Sequence, residues 1–136
     1  MTVPSGRIEV ASVANGEVDL LSTPGGWLLG YERVIDFGNI QLQQNSSLFN
    51  PAVADNPLSG IQVVGGNIIL DGSQIAAVTP GEFNSGNITI GATESLTVGG
   101  ESPNIPFSSW IVNLVAQGAQ GDSGVVTPLP LGMRVN

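Results

Sequence analysis

The chain has 136 residues, with 11 acidic side chains against 3 arginines and no histidine or cysteine, for a formal charge of −8. That balance argues against nucleic acid and anionic membrane surfaces, which need clustered Lys and Arg. Without Cys or His there is no donor set for zinc, and no Asp-x-Asp-x-Asp or Gly-Gly-x-Gly-x-Asp run suggests calcium, so no metal or cofactor is expected. The acidic residues are scattered singly and read as a solvated face.

The start, Met1-Thr2-Val3-Pro4-Ser5-Gly6-Arg7, has neither the basic nor the apolar region of a signal peptide. No apolar run approaches the roughly 18 residues of a membrane helix. Helical periodicity is nearly absent along the whole chain, because Gly or Pro interrupts every candidate segment. Strand signals take its place. Gly6-Arg7-Ile8-Glu9-Val10 comes first, and Gly16-Glu17-Val18-Asp19-Leu20 follows. Next are Gly38-Asn39-Ile40-Gln41-Leu42, Gly60-Ile61-Gln62-Val63, Gly66-Asn67-Ile68-Ile69-Leu70 and Gly86-Asn87-Ile88-Thr89-Ile90. Each reads glycine, then apolar and polar residues in alternation, the pattern of a strand with one face inward.

The runs recur. The steps from Gly38 to Gly60, from Gly60 to Gly86 and from Gly86 to Gly124 lengthen along the chain. All three fall within the period of roughly 20–50 residues that points to a solenoid. The extra length of the last unit falls at Glu101 to Ser109, a proline-containing stretch expected to loop out. Gly121-Asp122-Ser123-Gly124 matches the string around the nucleophilic serine of trypsin-like proteases. A serine needs a base, and this chain has no histidine or lysine to serve as one. Asp122-Ser123-Gly124 instead repeats Asn84-Ser85-Gly86 one unit later, so both are expected to be turns into the next strand.

The fold expected is all-β, a parallel β-helix whose coils stack about 4.8 Å apart. Gly38, Gly60, Gly66, Gly86 and Gly124 mark its turns. Ile40, Ile61, Ile68, Ile88, Leu96 and Val98 stack inward. An antiparallel β-sandwich or jelly roll is the alternative, though it would call for hairpins at roughly 8–12-residue spacing.

Other residues invite functional readings. Trp27 and Tyr31 could offer a sugar-stacking platform, but packing over an open side of the helix is the favoured role. Phe107 and Trp110, at the inserted loop, could form an exposed partner-contact patch. Asn39, Asn67 and Asn87 each follow a glycine and could stack as an asparagine ladder. Asn87-Ile88-Thr89 and Asn45-Ser46-Ser47 match the glycosylation sequon, with modification not expected. Glu9, Glu17 and Asp19 lie on neighbouring expected strands. They suggest a glycan-active enzyme fragment as an alternative function, one short of the basic residues such enzymes use. A stand-alone structural repeat protein is a further alternative.

On these residues the chain resembles the filamentous-haemagglutinin-like exoproteins of two-partner secretion, in particular the cyanobacterial type. Val3-Pro4-Ser5-Gly6-Arg7-Ile8-Glu9-Val10 is similar to the end of the family's N-terminal haemagglutination-activity domain. Gly26-Trp27-Leu28-Leu29-Gly30-Tyr31-Glu32 and Phe37-Gly38-Asn39-Ile40-Gln41-Leu42 are similar to the junction that follows. Asp71-Gly72-Ser73-Gln74-Ile75, Ser85-Gly86-Asn87-Ile88-Thr89-Ile90 and Glu94-Ser95-Leu96-Thr97-Val98 are similar to shaft repeats. The resemblance implies a right-handed β-helix secreted to the cell surface through an outer-membrane β-barrel transporter. It also implies adhesion to host or surface glycans and proteins, and no enzymatic activity. Residues 1–126 then form one β-helical segment: 1–37 the end of the secretion domain and junction, 38–126 shaft coils with an insertion near 101–109. Residues 127–136 form an irregular tail whose prolines stop a strand. The chain reads as a fragment of a larger exoprotein, and its open helix ends suggest self-association.

Overall fold

The computed structural model describes residues 1–101, 108–128 and 134–135, with 128, 134 and 135 described by backbone alone. The described residues are all-β and contain no helix. The strands in chain order are β1 (Arg7–Ala11), β2 (Val13–Gly16), β3 (Asp19–Thr23), β4 (Gly26–Gly30), β5 (Val34–Phe37), β6 (Ile40–Gln43), β7 (Ser47–Pro51), β8 (Gly60–Asp71), β9 (Gln74–Thr79), β10 (Asn87–Gly99), β11 (Trp110–Val115), β12 (Val126–Pro128) and β13 (Arg134–Val135).

Three parallel ladders organise them. In the first, β1, the first half of β8, the first half of β10 and β12 lie side by side. In the second, β6, the second halves of β8 and β10, and β13 do the same. The third is β7, β9 and β11. The alternation of apolar and polar residues puts like on like across each ladder. Ile8 pairs with Ile61 and Ile61 with Ile88. Ile40 pairs with Ile68 and Ile68 with Leu96, while Leu48 pairs with Ile75 and Ile75 with Ile111. These rows converge on one core. Ile40, Ile61, Ile68, Ile88 and Leu96 are buried, and half-buried Val98 packs against them. Each fully buried branched side chain contributes roughly 1.5–3 kcal/mol over leaving it in water.

The register differs from the glycine count in one respect. Gly38 does not precede Gly60 by one unit. Its carbonyl accepts from Gly66 N at 2.7 Å, while Gly60 stands between Arg7 and Asn87. The reason is that β8 carries two glycine-led motifs, one on the first ladder and one on the second. Counting every glycine merges two faces. Taken face by face, the repeat is nearly uniform through the middle units, while the first step of the first ladder, Ile8 to Ile61, is lengthened by the insertion at 13–37. On the second ladder the step from Ile40 to Ile68 equals the step from Ile68 to Leu96, and on the first ladder Ile61 to Ile88 is only one position shorter. The last unit is longer, as the sequence suggests. Ile88 pairs directly with Val126, and the chain between them exceeds that between Ile61 and Ile88. Its extra length leaves between β10 and β11, where Glu101 and Ser108 close the base with an antiparallel bridge.

The strand expected at Gly16–Leu20 also differs. Gly16 ends β2 with a φ of 113°, a value that L side chains rarely adopt, and a Cβ there would meet Arg33 O at 2.5 Å. Residues 13–37 leave the ladders instead and fold back as two antiparallel ribbons, β2 with β5 and β3 with β4. These two ribbons and the Glu101–Ser108 bridge are the antiparallel pairings among the described residues.

Candidate functional site

Three places gather polar or exposed side chains. The first is the ribbon insertion. Its inner edge is tied to the first ladder, where Glu9 Oε2 accepts from Leu29 N at 2.9 Å. Arg7 Nη2 holds Glu9 Oε1 at 3.3 Å and Gln62 Oε1 at 2.9 Å. Tyr31 packs its ring on Phe37 at 6.1 Å, and burial, reinforced by the Glu9 charge, raises its phenol above the ordinary value. Farther out, Arg33 gathers Glu17 and Asp19 in one ion-paired cluster. Its hydrogen bonds hold the Asp19 carboxyl below the usual carboxylate range. A catalytic acid of the glycosidase kind needs its pKa raised, so the Arg33 cluster pushes Asp19 the other way. Glu9 is committed to Arg7 and to a backbone amide. Glu17 and Asp19 are thus tied to Arg33 within the insertion, and Glu9 ties the insertion to the first ladder. Trp27 departs from the expected packing role: it lies opposite Ser22 on the ribbon and is 60% exposed.

The second place is the end of the third ladder. Trp110 is 43% exposed, and its Nε1 donates to Gln74 Oε1 at 2.6 Å. Phe107, its expected companion, lies outside the described residues. The asparagine ladder is partial. Asn67 Nδ2 donates to Asn39 Oδ1 at 3.1 Å and to Glu94 Oε2 at 2.6 Å. Asn87 sits on the first ladder rather than the second, so it stands apart from that row.

The third place is the corner between the third and first ladders, where the chain turns before β8, before β10 and before β12. The turns stack in register. Asp122 N donates to Asn84 Oδ1 at 2.7 Å, Ser85 N to Asp122 O at 3.1 Å, and Gly124 N to Ser85 Oγ at 3.1 Å. Gly124 passes so close to the turn below that a Cβ would lie 2.4 Å from Gly86 O. Ser123 is exposed on this corner. Two side-chain amides, one buried and one half-buried, fasten the turns from inside. Asn50 Nδ2 donates to Val3 O and Gly6 O, and its Oδ1 accepts from Ser59 Oγ. Asn113 does the same later in the chain, donating to Gly86 O and accepting from Ser85 Oγ.

Outside the corner, an open cavity of about 410 Å³ lies between two successive turns. Asp55, Asn56, Pro57 and Ser59 form one wall; Asn84, Ser85, Gly86 and Asn87 form the other. The repeat pattern marks Asn84 and Asn87 as turn residues but gives no reason to single out Asp55. The signal there is composition alone, since Asp55-Asn56-Pro57 is a turn-former triplet. The chain matches no family model, no curated protein and no solved structure.

Proposed function

We propose that the three parallel ladders are the three faces of a parallel β-helix. Its expected hand is right, as parallel crossovers almost always are. We further propose that the chain is a non-catalytic, structural and adhesive segment of a secreted, surface-exposed exoprotein of the filamentous-haemagglutinin-like kind. The observation that carries this reading is the equal step from Ile40 to Ile68 to Leu96 on the second ladder, nearly matched from Ile61 to Ile88 on the first, with Asp122 bonded over Asn84 at the corner. A solenoid of this kind extends by adding coils, each contacting only its neighbours. It presents turns and insertions along its flank and needs no catalytic constellation. The ribbon of residues 13–37 is such an insertion. Partners on this reading are an outer-membrane β-barrel transporter during export, and surface glycans or proteins afterwards.

The test is the size and location of the native product in source cells, by blot of cell and medium fractions with antibody to this segment. A band many times larger than 13.9 kDa in the medium or at the surface is expected. A band at the chain's own mass inside the cell overturns the reading.

A further inference from the structure

We propose that the cavity between the Asp55–Ser59 and Asn84–Asn87 turns is a binding site for a neutral, hydroxyl-rich ligand, a single saccharide unit. The argument begins with amide orientation. Asp122 N and Val125 N are donors, and they meet Asn84 Oδ1 at 2.7 Å and Asn87 Oδ1 at 3.0 Å. A donor must meet oxygen, so both carboxamides are fixed with oxygen toward the turn above. Neither Nδ2 makes a hydrogen bond among the described residues, and both residues line the cavity. Hydrogen bonding within the fold thus leaves two unengaged donor groups on residues of one wall.

The facing wall is the complement. Asp55 is exposed, and its carboxylate makes no hydrogen bond or ion pair among the described residues. Asn56 is already committed, donating to Ser5 O and accepting from Leu58 N. What remains unpaired is therefore NH2 donors on one side and a carboxylate acceptor on the other. A vicinal diol satisfies both at once, since each hydroxyl both accepts and donates. The volume lies at the low end of ligand sites, the scale of one sugar ring rather than a chain. Charge sets the class: Asp55 and a chain of −8 repel uronates and sialylated ends. No aromatic side chain among the described residues lines the cavity, so affinity rests on exposed hydrogen bonds and is expected to be on the order of 1 mM.

The inference deepens the adhesive reading yet stands on the cavity alone. Failure to bind sugar would leave the native product's size and location unaffected. The test is titration of the 15N-labelled full chain with methyl glycosides of glucose, galactose, mannose and N-acetylglucosamine, and with glucuronate. Expected are shifts of the Asn84 and Asn87 side-chain NH2 signals, and of amides in 55–59, with at least one neutral sugar and not with glucuronate. The Asn84→Asp/Asn87→Asp double variant keeps both acceptors for the turn above and removes both donors. It should retain the strand spectrum and bind at least about tenfold more weakly. Asp55→Ala, on the exposed turn, should weaken binding too and guards against misfolding of the first variant. Absence of cavity shifts with every neutral sugar, equal response to glucuronate, or unchanged affinity in a folded variant would each overturn the proposal.

Discussion

Asn50 is the most consequential polar side chain in the core, and replacing it tests how the corner is held. It is fully buried. Its amide spans two segments of chain, with Nδ2 at 2.7 Å from Val3 O and 2.8 Å from Gly6 O, and with Ser59 Oγ at 3.0 Å from Oδ1. Asn50→Leu keeps the branched skeleton, is bulkier, and removes all three bonds. At about 1 kcal/mol net per hydrogen bond, the loss is about 3 kcal/mol. Carbonyls left without water add to this, and the extra apolar burial offsets part of the addition. The total is a large share of the roughly 5–15 kcal/mol that holds a domain together. For a chain of this size it corresponds to a fall in Tm of about 10 °C. Reversible thermal unfolding followed by far-UV circular dichroism measures it. Asn113→Leu is the internal control, because Asn113 is only half-buried and water can replace its bonds. A loss of about 1 kcal/mol is expected there. An Asn50→Leu variant melting within about 2 °C of the parent would refute the argument that this amide staples the corner.

Further expectations concern the stack, the insertion and acid. Ile68→Ala, at a fully buried position central to the second ladder, should cost about 3–4 kcal/mol by urea unfolding. Gly86→Ala should cost more than about 2 kcal/mol, because the added Cβ would stand 2.0 Å from Ser59 O. Gly99→Ala meets nothing within 4 Å and should be neutral or slightly stabilising by the same assay. The Asp19–Arg33 tie should respond to acid. Because Arg33 lowers the folded-state pKa of Asp19, its contribution is present above the ordinary carboxylate pKa and lost as pH falls through the lowered value. Trp27 on the neighbouring strand reports it: its fluorescence should change below about pH 4 while the far-UV spectrum of the ladders holds. Arg33→Gln should remove that acid response.

How much of this was legible in the sequence depends on the range of the forces involved. The alternation in Gly60-Ile61-Gln62-Val63 and Gly86-Asn87-Ile88-Thr89-Ile90 is local, and it marks inward residues without knowledge of the partner strand. The match of Asp122 to Asn84 was also legible, because a stacked turn needs the same residue types at the same place. What sequence spacing missed was which face each glycine serves. Gly38 and Gly60 look alike locally and differ only in the strand they lie against. The ribbon at 13–37 was hidden for a similar reason, as its fastening, Glu9 to Leu29 N, joins two places far apart in the chain. Nothing local in Ser47-Leu48-Phe49-Asn50-Pro51 marks Asn50 as a core residue, yet it is buried where its amide meets the carbonyls of Val3 and Gly6. The cavity arises only when turns from two different units, at Asp55 and Asn84, are brought to one corner.

The central structural claim is that like faces of successive units lie parallel and in register. Backbone nuclear Overhauser contacts on a 13C,15N-labelled chain test it most directly. The account predicts contacts from Ile61 to both Ile8 and Ile88, and from Ile68 to both Ile40 and Leu96, in the parallel pattern. Contacts that instead place β8 antiparallel to β9 or β10 would contradict it.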